Sequence, residues 1–75
     1  MDLSEIKKHY YAEPFRPIEV VLTDGRRIRI MRKNGMGFSP SGRTMGCFDH
    51  EDRGHHFWME EVSAIHPLTP EAAGK

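Results

Sequence analysis

Alternation of apolar and polar residues is clearest between positions 18 and 32, where two β-branched segments flank Asp24 and Gly25. An Asp-Gly pair between such segments predicts a β-hairpin. A two-residue turn would mix apolar residues and arginines on both faces of the hairpin. A three-residue loop with Gly25 in the left-handed region gives one apolar face, and burial of that face fixes the register. The predicted pairs are Ile18–Ile30, Val20–Ile28, Glu19–Arg29 and Val21–Arg27.

The N-terminal segment has apolar residues at helical spacing. Asp2, followed three residues later by Glu5, has the pattern of a capping box. We predict a helix over residues 2–11, which must dock on the rest of the domain because a helix this short is not stable alone. The docking face is formed by Leu3, Ile6 and Tyr10.

Several strand-like segments separated by turn residues follow the hairpin. Turns are predicted at residues 34–35 and 40–42, and one helical turn at residues 60–62. We expect a mainly β (α+β) fold: an N-terminal helix and then a five-stranded, strongly bent antiparallel barrel, since closure removes exposed edges. The further strands are expected at residues 36–39, 43–48, 55–59 and 63–68. The predicted core contains Leu3, Ile6, Phe15, Ile18, Val20, Ile28, Ile30, Phe38, Val62 and Ile65.

The order of these elements resembles the Sm-like variety of SH3-like barrel. Residues 20–26 (Val-Val-Leu-Thr-Asp-Gly-Arg) are similar to the apolar strand and Asp-Gly turn of the first Sm motif, although residues 59–62 are acidic where that family carries an Arg-Gly element. That resemblance implies a small barrel, assembly through edge strands and RNA binding. The chain also resembles a group of short bacterial proteins, a resemblance that implies the same fold and no particular activity. The shared motifs are Pro-Phe-Arg-Pro (14–17), Thr-Asp-Gly-Arg (23–26) and Ser-Pro-Ser-Gly-Arg-Thr (39–44).

Charge is balanced over the whole chain but not along it. Eleven Lys and Arg residues offset eleven Asp and Glu residues. Residues 16–43 hold seven basic and two acidic residues, a net charge of +5, and residues 44–75 hold two basic and six acidic residues, a net charge of −4. The basic segment is a candidate site for nucleic-acid phosphates; the alternative is a solvated strand face with Arg29 paired to Glu19. Its candidate residues are Arg26, Arg27, Arg29, Arg32, Lys33 and Arg43.

A group of Cys, His and Asp residues has spacing compatible with metal binding. However, His55 and His56 are neighbours on a predicted strand and should point to opposite faces. A second cysteine is also missing. We therefore expect a polar loop beside a buried Cys47, with no metal and no cofactor. The residues considered are Cys47, Asp49, His50, His55 and His56.

The remaining composition favours a small binding domain. Seventy-five residues predict one domain, here residues 1–69 with a flexible tail at 70–75. One cysteine permits no intrachain disulfide and suits a reducing compartment. Neither a membrane-spanning apolar segment nor a signal-peptide pattern is seen, so we expect a cytoplasmic protein. No nucleophile system or small-molecule site is identified, and an enzyme is not expected.

The preferred functional interpretation is an interaction module that forms homo-oligomers, with a plain monomer as the opposing view. A domain of this size gains from further apolar burial, and its basic and acidic segments complement each other between copies. The expected joining strands are residues 45–48 and 63–66. The candidate contact residues are Met45, Cys47, Trp58, Met59 and Ala64.

Overall fold

The computed structural model describes residues 3–68, except for the side chain of Asn34. In this part of the chain one helix precedes six strands. The elements are α1 (Leu3–Tyr10), β1 (Ile18–Leu22), β2 (Arg27–Ile30), β3 (Met36–Phe38), β4 (Thr44–Phe48), β5 (Gly54–Trp58) and β6 (Val62–Pro67), with 3₁₀ turns at Lys33–Gly35 and Met59–Glu61.

The strands form two antiparallel three-stranded sheets. Sheet A has the order β2-β1-β6, and sheet B has the order β3-β4-β5. β1 and β4 are therefore the central strands, with both edges paired. Each sheet turns one face toward a shared core and the other toward solvent.

The expected five-stranded closed barrel is wrong. Six strands are present in the described part, and they are divided between two separate sheets. The two 3₁₀ turns lie where the chain passes from one sheet to the other, between β2 and β3 and between β5 and β6. A closed barrel requires hydrogen bonding between strands to continue across these two junctions. The 3₁₀ turns interrupt that bonding.

The register of the first hairpin is confirmed. β1 and β2 pair as Ile18–Ile30, Glu19–Arg29, Val20–Ile28 and Val21–Arg27. Leu22 and Arg26 close the loop, since the Leu22 N–H donates to the Arg26 carbonyl at 2.9 Å. Gly25 has a φ of +93°, the left-handed conformation that the bulged turn requires.

The core lies between the inner faces of the two sheets and under α1. Of the ten predicted core residues, six are buried and four (Leu3, Phe15, Phe38 and Ile65) are half-buried at its margin. Several residues at the centre, among them Leu22 and Met45, are not in the predicted core. The buried residues are Ile6, Ile18, Val20, Leu22, Ile28, Ile30, Met36, Met45, Cys47, Phe57, Met59 and Val62.

The helix docks as its apolar face predicts. Ile6 is fully buried, and Leu3 and Tyr10 pack against the core. Leu3 also covers the turn before β4, where a Cβ atom on Gly42 would lie 2.6 Å from Leu3 Cδ2. The predicted cap at Asp2 and the tail at residues 70–75 lie outside the described residues.

Candidate functional site

Two of the candidate phosphate-binding arginines lie on the outer face of sheet A and pair with one carboxylate. Glu19 Oε1 accepts a hydrogen bond from Arg27 Nη1 at 3.0 Å, and Glu19 Oε2 lies 3.6 Å from Arg29 Nε. The Glu19 side chain is only 12% exposed, and Glu19 lies on the central strand between Arg29 of β2 and His66 of β6. The expected pairing of Arg29 with Glu19 is therefore present, with Arg27 even closer.

Two more members of the basic set also have anionic partners. Arg26 Nε donates to Asp24 Oδ2 at 2.9 Å within the hairpin turn. Lys33 Nζ lies 3.8 Å from Glu13 Oε1 and faces the rings of Tyr10 and Tyr11. Among residues 3–68, the two remaining members, Arg32 and Arg43, form no ion pair.

The Cys and His residues near the loop at 49–53 are organised around Asp49. Its carboxylate accepts backbone N–H groups from Glu51 and Arg53 and lies 2.8 Å from His55 Nε2. The hydrogen bond with His55 is the main reason that the pKa of Asp49 is lowered to about 2. His56 lies on the opposite face of β5, and within the described ranges no three His, Cys, Asp or Glu residues form a metal-binding group.

Cys47 lies at the inner face of β4 and is 4% exposed. Burial, with a further contribution from the negative charge of Asp49, raises the pKa of its thiol to about 11. The side chain is therefore a protonated thiol at neutral pH, whereas nucleophiles and metal ligands need the thiolate. Its place in the structure is that of a small core residue.

The outer face of sheet B differs from every other surface described so far. Side chains of β4 alternate, with Met45 and Cys47 in the core and the others directed outward. Pairing of Gly46 with both Gly37 and His56 places these three in one row across the sheet. We define the outer face of sheet B as Gly37, Thr44, Gly46, Phe48, Gly54, His56 and Trp58.

Two large aromatic side chains stand at opposite ends of this face. Phe48 is 57% exposed and Trp58 is 51% exposed. The Phe48 ring leans over the strand opposite, since a Cβ atom on Gly54 would lie 3.4 Å from Phe48 Cε1. The face carries no Asp, Glu, Lys or Arg, so it presents aromatic rings and bare backbone to solvent.

The candidate contact residues from the sequence divide between core and surface. Met45, Cys47 and Met59 are buried within the chain itself, while Ala64 is half-buried on β6 and Trp58 is exposed. Phe48 is exposed and is not among the contact residues predicted from the sequence. The strict alternation along β4 is the signal that distinguishes Phe48 from its buried neighbours, once the inward face is known.

One of the two expected joining strands is not an edge. β4, which contains residues 45–48, is bonded to β3 on one side and to β5 on the other. β6 is an edge strand of sheet A, bonded only to β1 within the described residues. The free edges of sheet B belong to β3 and β5.

The two arginines without ion pairs lie beside the exposed aromatics. Arg43 lines a surface cleft together with Trp58, Leu3 and Glu60. Arg32 lines a second cleft with Phe48, which also contains Asp49, His50 and Asp52. Each end of the outer face of sheet B therefore combines an aromatic ring with a guanidinium group.

Comparison with protein-family models, curated proteins and solved structures gave no match to this chain. Within residues 3–68, no helix has both the length and the apolar character needed to cross a bilayer.

Proposed function

We propose that the protein is a non-enzymatic interaction module that associates with a second copy of itself through sheet B. The observation that supports this proposal is the pair of exposed aromatics, Phe48 and Trp58, on an uncharged sheet face. Aromatic residues are enriched in contact surfaces because they bury a large area with few rotatable bonds. Lysine, glutamate and aspartate, which contact surfaces tend to exclude, are absent from this face.

The apolar area that Phe48 and Trp58 can bury in a dimer is small, which predicts weak association. Covering the exposed halves of Phe48 and Trp58 contributes about 2 kcal/mol for each side chain, at roughly 25 cal/mol per Å². Association costs about 4 kcal/mol or more in lost translational and rotational freedom. For the four side chains of a dimer these terms leave about 4 kcal/mol, so we expect a concentration-dependent dimer with a dissociation constant of about 1 mM.

Light scattering and sedimentation at increasing protein concentration test the proposal. The mass should rise from 8.7 kDa toward twice that value. Phe48→Ser and Trp58→Ser should each weaken association. The matched control is Tyr11→Ser, because Tyr11 is the third large exposed aromatic, at 62%, and lies outside sheet B. A mass of one chain at every concentration would contradict the proposal.

A second candidate function is binding of single-stranded nucleic acid at the same aromatics. It is supported by the position of Arg43 beside Trp58 and of Arg32 beside Phe48. Aromatic rings that stack on bases next to guanidinium groups are typical of single-strand binders. The basic residues of sheet A contribute less to this function because they are already paired with carboxylates.

Titration with single-stranded RNA at about 50 mM salt, where phosphate contacts are strong, tests this second candidate. Trp58 is the one tryptophan of the chain, so its fluorescence reports stacking directly. Arg43→Ala should weaken binding, whereas Arg27→Ala, at a residue paired with Glu19, should have little effect. Unchanged fluorescence at saturating RNA would exclude this function.

A further inference from the structure

The free edges of the two sheets differ in how well they are protected against pairing with another chain. Edge strands are commonly protected by charges, by proline or by shortness. β2 carries Arg27 and Arg29 at its free edge, β6 ends at Pro67, which has no N–H to donate, and β3 has only three residues. β5 has five residues and no Asp, Glu, Lys, Arg or Pro.

The hydrogen bonds at both ends of β5 show which of its backbone groups face outward. The Met59 N–H donates to the Arg43 carbonyl, and the Asp49 N–H donates to the Arg53 carbonyl. Since hydrogen-bonded positions alternate in an antiparallel pair, residues 55 and 57 also bond to β4. The N–H and C=O groups of Gly54, His56 and Trp58 therefore point away from the sheet.

We propose that two copies of the chain pair through β5 in an antiparallel arrangement, with His56 opposite the partner's His56. This inference rests on the proposed self-association and names the contact. In this register Trp58 lies opposite the partner's Gly54, and all three outward-facing residues exchange backbone hydrogen bonds. The two copies of sheet B become one continuous sheet.

The side chains fit this register. Gly54 leaves space for the indole of the partner's Trp58. The ring of Phe48 already leans over Gly54, so the indole meets that ring from the other side. Phe48 of each copy and Trp58 of the other then contact each other at their edges, in two symmetric clusters. Sliding the strands by two residues loses one backbone pair and moves Trp58 away from the glycine.

Glu61 regulates access to this edge. Its Oε1 accepts the Trp58 N–H at 3.0 Å, and this is one of the groups that the partner strand needs. Binding of a second copy therefore requires the Glu61 side chain to release that N–H. Glu61→Ala should tighten association severalfold, because the competing acceptor is removed.

Opposite charges at position 56 test the register. His56 is exposed, so His56→Glu and His56→Lys should leave the fold intact. Each variant alone places like charges directly opposite each other in the dimer and should associate about fivefold more weakly at low salt. An equimolar mixture should recover or exceed wild-type association, measured by sedimentation. The control variants are His50→Glu and His50→Lys, at an exposed residue outside β5, which should show neither effect.

Cross-linking gives a second readout. His56→Cys should form a covalent dimer with a short bifunctional maleimide, and His50→Cys should not. Cys47 interferes little, because its buried thiol with a raised pKa reacts slowly.

The outcomes separate this inference from the proposed function. A wild-type chain that stays monomeric contradicts both. A wild-type dimer that is unaffected by the charged variants at position 56, or that cross-links equally through positions 50 and 56, contradicts the β5 register and leaves self-association in place.

Discussion

Sheets A and B are both three-stranded and contribute to the same core, but their outer faces carry different kinds of side chain. On sheet A, Glu19 pairs with both Arg27 and Arg29, so the group is held together by ion pairs and keeps one net positive charge. On sheet B, the corresponding positions hold glycines, one histidine and two half-exposed aromatics, Phe48 and Trp58. The outer face of sheet A is charged and suited to contact with water. The outer face of sheet B leaves large apolar side chains exposed to solvent.

This difference shows that the charge pattern of the sequence does not reveal which faces keep apolar side chains exposed. Arg27 and Arg29 of sheet A belong to the basic segment of the sequence, yet both are paired with the carboxylate of Glu19. Exposed ion pairs of this kind contribute little binding energy to a partner, since they are already solvated and paired. The outer face of sheet B carries no Asp, Glu, Lys or Arg. Burial of its apolar side chains would lower the free energy of the protein.

The largest expected effect tests whether the two sheets share one core. Phe57→Ala in sheet B should cost about 3–5 kcal/mol and Ile30→Ala in sheet A about 2–5 kcal/mol, because both side chains are almost completely buried. Urea unfolding followed by Trp58 fluorescence and by far-UV circular dichroism should give coincident transitions for each variant. Loss of structure in one sheet while the other persists would show two separate cores.

The two hairpin turns provide a smaller test. Gly25 in sheet A and Gly42 in sheet B both have positive φ, +93° and +74°. The positive φ alone should make replacement by alanine lower the free energy of unfolding by about 1 kcal/mol at either turn. Gly42→Ala should cost more, since its Cβ atom would displace Leu3, whereas no atom lies within 4 Å of a Cβ on Gly25. In a Leu3→Ala background the two costs should become equal, and an unchanged difference would contradict this explanation.

Asp49 makes sheet B sensitive to acid. A carboxylate with a lowered native pKa stabilises the fold above its unfolded pKa, near 3.9, and this stabilisation is lost as the pH falls through the native value. For Asp49, with a pKa of about 2, the window is between about pH 4 and pH 2. Asp49→Asn should flatten the fall in stability over that window, as measured by urea unfolding at a series of pH values. A profile with the wild-type slope would exclude Asp49 as its source.

The smallest effect is expected on the charged face of sheet A. Glu19→Gln keeps the size of the side chain and removes its charge, leaving Arg27 and Arg29 to repel each other. The free energy of unfolding should fall by about 0.5–1 kcal/mol at low salt and by less at high salt, because these ion pairs are partly exposed. A loss independent of salt would show that packing of Glu19, rather than its charge, stabilises sheet A.

The features that were predicted correctly are those determined by residues close together in the sequence. Asp24-Gly25 and the alternation on either side of it determine the first hairpin, down to the pairing of Val20 with Ile28. The docking face of the helix follows from the spacing of its apolar residues, of which Ile6 is fully buried. In both cases the competing arrangement would have exposed an apolar face.

The barrel prediction failed because closure depends on long-range pairing. Nothing local indicates that the turns at Lys33–Gly35 and Met59–Glu61 divide the strands into two sheets. Which of the candidate contact residues lie at the surface was also not predictable from the sequence, for a related reason. Alternation along β4 separates Met45 and Cys47 from Phe48, but which set faces inward is decided by the opposing sheet and helix.

Because β1 pairs with β6, sheet A is complete only when both ends of the range 18–67 are present. β3, β4 and β5 follow one another along the chain and pair with their sequence neighbours, so all strands of sheet B are available once β5 has left the ribosome. Within residues 3–68, β1 has only β2 as a partner until β6, the last described strand, has been synthesised. Sheet A is thus completed last, and a nascent chain that stalls before β6 exposes one edge of its central strand to chaperones and to other nascent chains.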